Sequence, residues 1–276
     1  MHLVQSAPAP PVLRPFVRAF AQRTVTGVVE VQPMPAFLET VINFEFAGPL
    51  ILGSAAAGFQ PGRPLGLMGP HTQAGNSLRF EGSIDSFAIF LQPAALWTLF
   101  RVPTRAVMET DYDAEDVLGA PIVELWHILA ELPGFAERTR AAAKFIYRAA
   151  ALGHGETPTT AAASWLARHG GQIAIPDLAM HMNVSVRQLE RSFLREMGMQ
   201  PKRFARVARF QAALDARVGR PDRSWLDIAA ECGYHDQMHL VHDFQAFSGL
   251  SPTFTIERLG DSRPSALAAS HSRDQE

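Results

Sequence analysis

Apolar residues recur along this chain in two rhythms, one in each half. From Thr24 to Phe90 they come in short runs cut by Gly and Pro: Val25 to Val31, Phe37 to Phe46, Leu50 to Leu52, Leu65 to Met68, Ser77 to Phe80 and Phe87 to Leu91. Within the second run, Thr40 to Phe46 alternates well enough to be a strand with one buried face. Short runs with turn signals between them predict a small antiparallel β-barrel or sandwich. Ahead of it, Pro8, Pro10 and Pro11 predict an extended lead, and Val12 to Phe20 a short helix or an edge strand.

Beyond Leu91 the spacing becomes helical. Gln92 to Arg101 puts Ala95, Leu96, Leu99 and Phe100 in step and stops at Val102-Pro103. Two further helices, Pro121 to Leu132 and Phe135 to Leu152, are separated by Pro133-Gly134. Their apolar positions, among them Leu125, Trp126, Leu129, Phe145 and Ile146, exceed what a lone hairpin can hide, so the pair is expected to cover the barrel or meet a second subunit. Gly153, Gly155 and Pro158 mark a linker at 153–158. It divides a 1–152 domain from a helical 159–260 domain that opens with a helix from Ala161 to Arg168. The small, polar 261–276 tail is expected to be disordered. The predicted class is multidomain α+β, with an all-α carboxy-terminal domain.

That second domain contains a duplication. Asp177-Leu-Ala, Asn183-Val, Leu189, Phe193, Gly198 and Pro201 recur as Asp227-Ile-Ala, Gly233-Tyr, Leu240, Phe244, Gly249 and Pro252, about fifty residues later. Each copy reads as a short apolar helix, a tight turn and a longer helix. Asn183 and Gly233 stand where a left-handed residue is wanted. Ser185 is placed to cap the second helix of copy one, with Gln188 three residues on to complete a capping box, and Ser224 and Asp236 cap the helices of copy two. Two helices joined by such a turn are a helix-turn-helix. A long helix from Pro201 to Val218, with Phe204, Val207, Ala208 and Gln211 inward, joins the copies.

Along the second helix of copy one, Val186, Leu189, Phe193 and Met197 fall on one side and Arg187, Gln188, Arg191 and Arg195 on the other. Such a stripe on an isolated helix is an ordinary solvated face. After a capped helix and a turn, it is where a recognition helix carries its contacts to bases and phosphates. From Pro176 to Arg209 the basic residues Arg187, Arg191, Arg195, Lys202, Arg203, Arg206 and Arg209 outnumber Asp177, Glu190 and Glu196. That local excess is an electrostatic footprint for a phosphate backbone, concealed by a formal net charge of -2.

Pro176 to Arg258 resembles the tandem, homeodomain-like helix-turn-helix domain of the AraC/XylS transcription regulators. The matching residues are Asp177-Leu-Ala, Ser185-x-x-x-Leu189-x-Arg191-x-Phe193, Gly198-x-x-Pro201 and Ile228-Ala-x-x-Cys-Gly233-Tyr234. They continue through Asp236-Gln237-x-His239-Leu240-x-x-x-Phe244 to Gly249-x-Ser251-Pro252. The resemblance implies sequence-specific binding of double-stranded DNA by Ser185, Arg187, Gln188, Glu190, Arg191 and Arg195 of copy one. From copy two it implies Gln237, Met238, Val241 and His242. By family position Arg187, Glu190 and Arg191 meet base edges, while Gln188 and Arg195 meet backbone. His242 stands where the family often has arginine. The amino-terminal half is similar, more loosely, to the sensory or dimerising domain of the family. The implied further partners are a small-molecule effector, a second copy of the chain and, for an activator, RNA polymerase.

Hydrophobic residues at 47% and charged residues at 19% of 276 describe a globular protein. One cysteine, Cys232, excludes an internal disulfide framework, fits the cytoplasm and reads as core filling. No apolar run reaches about eighteen residues, so no membrane span is expected. No nucleophile elbow, phosphate-cradling loop or metal-ligand motif points to an enzyme or a cofactor. His235, His239 and His242 have no carboxylate or cysteine at a zinc-site spacing, and Asp236 is needed as a cap, so no metal is expected. If the barrel binds an effector, Phe37, Phe44, Phe46, His71 and Phe80 are the candidate contacts, with Phe59 beside them. The competing readings are a barrel that only dimerises and, less favoured, an enzyme fused to a DNA-binding module.

Overall fold

The computed structural model describes residues 2–48, 50–54, 57–153 and 155–259; the expected tail at 261–276 lies outside them. Its amino-terminal part is an antiparallel sheet of β1 (His2–Pro8), β2 (Val17–Met34), β3 (Thr40–Ala47), β4 (Ile51–Ser54), β5 (Gly58–Pro61), β6 (Leu65–Met68), β7 (Asn76–Leu91) and β8 (Asp111–Asp113). The order β1-β2-β7-β3-β6-β8 runs from edge to edge, with the β4–β5 hairpin on the first half of β7. Among the described residues no pairing joins β1 to β8, so the sheet is open rather than closed as a barrel. The extended lead is itself the edge strand β1, and the Pro11–Leu13 stretch is a single 3-10 turn before β2.

The spine is longer than the sequence pattern suggests. Ser77–Phe80 and Phe87–Leu91 are the two ends of β7, which pairs along β2 from Val17↔Leu91 to Met34↔Asn76. The glycines between the runs make an irregularity instead of a turn: the register shifts between Val25 and Val28, where Gly27 and Gly82 both have positive φ. Glycine inside a strand marks a bulge at least as often as an end.

The two sheet faces differ in side-chain size. Phe20, Ile42, Phe44, Leu67, Phe87 and Ile89 project to one side, against α1 (Ala95–Phe100), α2 (Ala114–Leu118), α3 (Ala120–Glu131) and α4 (Phe135–Leu152). Leu125, Leu129 and Ile146 are buried there, so the α3–α4 hairpin covers the sheet. Arg138 of α4 pins this layer. It donates bidentately to Asp85 at 2.9 and 3.0 Å and to the Leu129 carbonyl at 3.1 Å, and lies over the Phe46 ring. The opposite face carries the smaller Ala19, Ala21, Val41 and Ala88 together with Phe90.

Among the described residues the carboxy-terminal part has seven helices: α5 (Pro158–Arg168), α6 (Ile175–His181), α7 (Val186–Glu196), α8 (Pro201–Gly219), α9 (Trp225–Glu231), α10 (Gln237–Ser248) and α11 (Pro252–Leu259). The two copies are α6–α7 and α9–α10. Asn183 and Gly233 both turn through the left-handed region, at φ 54° and 71°. Ser185, Ser224 and Asp236 each accept the expected backbone N–H. The Gln188 side chain makes no return bond; the reciprocal box forms at α5 instead, between Thr157 and Thr160. One apolar core holds Leu189, Phe193, Phe204, Phe210, Leu240 and Phe244, with buried Cys232 in it. Phe193–Phe204 and Phe210–Phe244 meet edge to face at 5.5 and 4.8 Å across α8.

Candidate functional site

On α7, Leu189 and Phe193 are buried, as is Met197 just beyond its end, while Arg187, Gln188, Glu190, Arg191 and Arg195 are exposed. Val186 departs from its expected packing role: in the first turn it protrudes and is 37% exposed. Ser185 caps α7, so its hydroxyl already accepts the Gln188 N–H. Arg195 is paired with Glu196, whereas Arg187 and Arg191 have no ion-pair partner among the described residues. Two solvated guanidiniums one helical turn apart can approach one groove.

The wider footprint shrinks in three dimensions. Arg203 donates to the Thr72 hydroxyl at 3.1 Å and carbonyl at 2.9 Å, Arg206 donates to Asp243 at 2.6 Å, and Arg209 donates to the Gly171 carbonyl at 3.0 Å. These three hold α8 to its neighbours. The cationic face is therefore narrower than the sequence count suggests, and it centres on α7.

On α10, Gln237, Met238 and His242 are exposed and Val241 is half-buried. Asp236 joins His235 and His239, contrary to the expectation that no carboxylate does so. Its two oxygens lie 3.1 Å from the His235 ring and 3.5 Å from the His239 ring, and the three donor atoms fall within 4.8 Å of one another. One of those oxygens also accepts the His239 N–H at 2.8 Å, and this bond, followed by the one from His235, lowers the Asp236 pKa. Asp236 thus spends its charge on the start of α10.

A second site lies on the small-residue face of the sheet. Above Ala21 and Ala88 is a cavity of about 120 Å³ with apolar walls that include Met34, Phe37, Val41, Phe80 and Phe90. Arg23, Arg63, Asn43, Ser86 and Asp111 add polar groups. Arg23 lies 4.0 Å above the Phe80 ring. Of the aromatic candidates, Phe37 and Phe80 line this cavity. Phe44 and Phe46 do not: strand alternation sends Phe44 to the helical side against Phe87, and Phe46 is held there under Arg138. Phe59 is 46% exposed on β5. His71 lines an adjoining polar recess with Glu109 and stacks on Phe37 at 5.3 Å. Burial lowers its pKa, against the opposing bond to the Gly69 carbonyl.

Sequence reading missed Glu45. It faces Ser86 across the β3–β7 pairing, accepts a hydrogen bond from Asn43 and leaves its other oxygen buried without a partner. Burial pushes its carboxyl up to about 8. An unfolded glutamate ionises near 4.5, so the folded state holds one proton more between those values and loses stability as pH rises through that window. Glu45→Gln is expected to remove this part of the decline, read from denaturant midpoints between pH 5 and 9; an unchanged slope would refute it.

The duplicated helical pair, its joining helix and an exposed basic second helix define a DNA-binding domain of the helix-turn-helix class. Residues 178–258 match a family model described as a helix-turn-helix domain, which is of the AraC type. No curated protein matches the chain. Its fold is similar to that of apo ToxT, a lysine-to-alanine variant from Vibrio cholerae strain SCE256: TM-score 0.51, 9% identity, covering 87% of this chain and 98% of that one. ToxT from Vibrio cholerae O395 bound to (E)-4-(8-methylnaphthalen-1-yl)but-3-enoic acid gives a TM-score of 0.50 at 10% identity, covering 94% and 99%. Among the described residues no helix is long and apolar enough to cross a membrane.

Proposed function

We propose that this DNA-binding regulator recognises a specific duplex sequence through α7 and α10 and responds to a small molecule held in the amino-terminal cavity. The division assumed is 1–152 for sensing, 153–158 as linker and 159–260 for DNA, in the cytoplasm. The observation that carries the first half is the α7 surface, where Arg187 and Arg191 stand exposed beside Glu190, with no ion-pair partner among the described residues, while the helix's other side is sealed in the core. α8 is about 28 Å long at 1.5 Å per residue, and successive major grooves are about 34 Å apart, so it can hold α7 and α10 to one face of the duplex. Arg187, Glu190 and Arg191 read base edges; Ser185, Gln188 and Arg195 meet backbone; Gln237, Met238, Val241 and His242 supply weaker contacts from the second copy.

The effector half rests on the cavity, whose apolar walls and few polar groups suit a small amphiphile. The similarly folded ToxT binding a naphthyl-bearing carboxylic acid supports that class, with Arg23 and Arg63 as cationic groups of the wall. Selection of duplexes from a random pool is expected to yield a bipartite site with halves about one helical turn apart. Recovery of unrelated sequences only would refute sequence-specific recognition. For the cavity, the same naphthyl butenoic acid is expected to raise the melting temperature progressively with concentration, since a ligand at a hundred times its Kd adds about 2.7 kcal/mol. No shift would remove this acid from the class.

A further inference from the structure

A charged cluster is sealed where the sheet meets the DNA-binding helices. Arg18 is the extra residue of a β2 irregularity, between the pairs Val17↔Leu91 and Ala19↔Phe90. Such a bulge turns a side chain away from the regular face. Its guanidinium donates to Glu39 on the sheet side and, at 3.0 Å, to Asp215 of α8. Gln211, one turn earlier on α8, donates to the other Glu39 oxygen at 2.8 Å. The three charged side chains are 1%, 4% and 7% exposed. Burial works against the charge on Arg18, yet the two carboxylates outweigh it and raise its pKa. Burial likewise opposes the charge on Glu39, but Arg18 and then Gln211 hold its pKa below the usual value.

Four other contacts lie around this cluster. Arg203, in the first turn of α8, is tied to Thr72. The Ala36 N–H donates to the Phe247 carbonyl of α10 at 2.7 Å. The Thr104–Val107 turn packs on α7, and Ala36 and Leu38 belong to the same core as the helices. Arg18 of β2 and the segments flanking the sheet thus hold α8 at both ends and touch both α7 and α10, while leaving Arg187, Arg191 and His242 exposed.

We propose that Arg18, Glu39 and Asp215, with Gln211, form an interdomain lock that positions the two helix-turn-helix units for simultaneous engagement of their two half-sites. It is a positioning device, since none of these side chains can reach DNA from inside the interface. Bracing α7 and α10 beforehand lowers the ordering cost of placing both helices. The lock also stands next to the cavity: Phe37, two residues before Glu39, forms part of the cavity wall.

The proposal rests on the DNA-binding reading, and Asp215→Ala tests it in the full chain. Removing Asp215 leaves Arg18 paired with Glu39. Duplexes selected by the wild-type protein supply a two-half site, and scrambling the half read by α10 supplies a one-half site. Asp215→Ala is expected to bind the two-half site about tenfold more weakly and the one-half site as tightly as wild type. Gln211→Met, which keeps every charge, is expected to show a smaller loss of the same kind. Unchanged binding to the two-half site, or equal loss on both sites, would overturn the proposal. Glu-C cleavage after exposed Glu156 reads the lock without DNA. Faster cleavage is expected in both variants, and wild-type rates would overturn the lock even if no duplex were selected.

Discussion

Arg18→Met is expected to cost about 3–5 kcal/mol of unfolding free energy, the usual penalty for removing one partner of a buried ion pair. Here the penalty falls on two carboxylates at once, because Glu39 and Asp215 both point their charge at the same guanidinium. Methionine roughly fills the space, so the loss reports charge more than cavity formation. Urea unfolding at pH 7 measures it, and for a chain of this size the melting temperature drops by roughly 10 °C. The triple change Arg18→Met, Glu39→Gln and Asp215→Asn distinguishes stranded charge from lost packing. With these three charges removed together, it is expected to recover most of the stability lost by Arg18→Met alone. A triple variant as unstable as the single one would show that shape dominates at this site. Acid acts on the same cluster. The lowered Glu39 pKa means that its stabilisation is present above the ordinary carboxylate range and is lost as pH falls through the folded value.

Such a cluster leaves little trace in a sequence. Arg18, Glu39 and Asp215 are separated by 21 and 176 positions, and nothing local marks them as partners. Arg18 stands in the Val12–Phe20 run, which reads as a short helix or an edge strand, and its inward turn depends on an irregularity in pairing with β7. The helix-turn-helix copies were legible because caps, turns and apolar spacing are local: Asn183, Ser185, Gly233 and Asp236 do what their residue types favour. The sheet was legible in kind but not in connection. Gly27 and Gly82 carry the same signal whether they end a strand or bend it, and only long-range pairing with the partner strand decides. The cavity candidates divided for a similar reason. Phe37 and Phe80 line it, while Phe44 and Phe46 are on the other side, because aromatic content identifies a buried strand without saying which face its neighbours fill. Counting basic residues misled most at Arg203, Arg206 and Arg209, whose charges go to Thr72, Asp243 and a backbone carbonyl.

With those three arginines engaged elsewhere, the affinity of the DNA face falls on a few side chains, and Arg191→Ala is expected to show it. A bidentate arginine–guanine contact is worth about 1–3 kcal/mol, so loss of Arg191 should weaken binding of the selected duplex by roughly 5- to 150-fold. His242 occupies the outer surface of α10, and its single ring lacks the rigid fork of donors with which arginine grips phosphate or guanine. His242→Ala is therefore expected to change affinity less than threefold at the same salt. The two substitutions also differ in kind. If Arg191 meets a base, the penalty should shrink on a duplex whose corresponding guanine is changed, because the wild-type protein then has nothing to grip there. If it meets only phosphate, the penalty should be the same on every duplex and the salt dependence should become shallower by about one counterion. Both substitutions are on exposed positions whose side chains carry no part of the core, so the fold is expected to survive either one. Equal losses from Arg191→Ala and His242→Ala, titrated at fixed salt, would show that α10 contributes as much as α7 and would refute the ordering of the two copies.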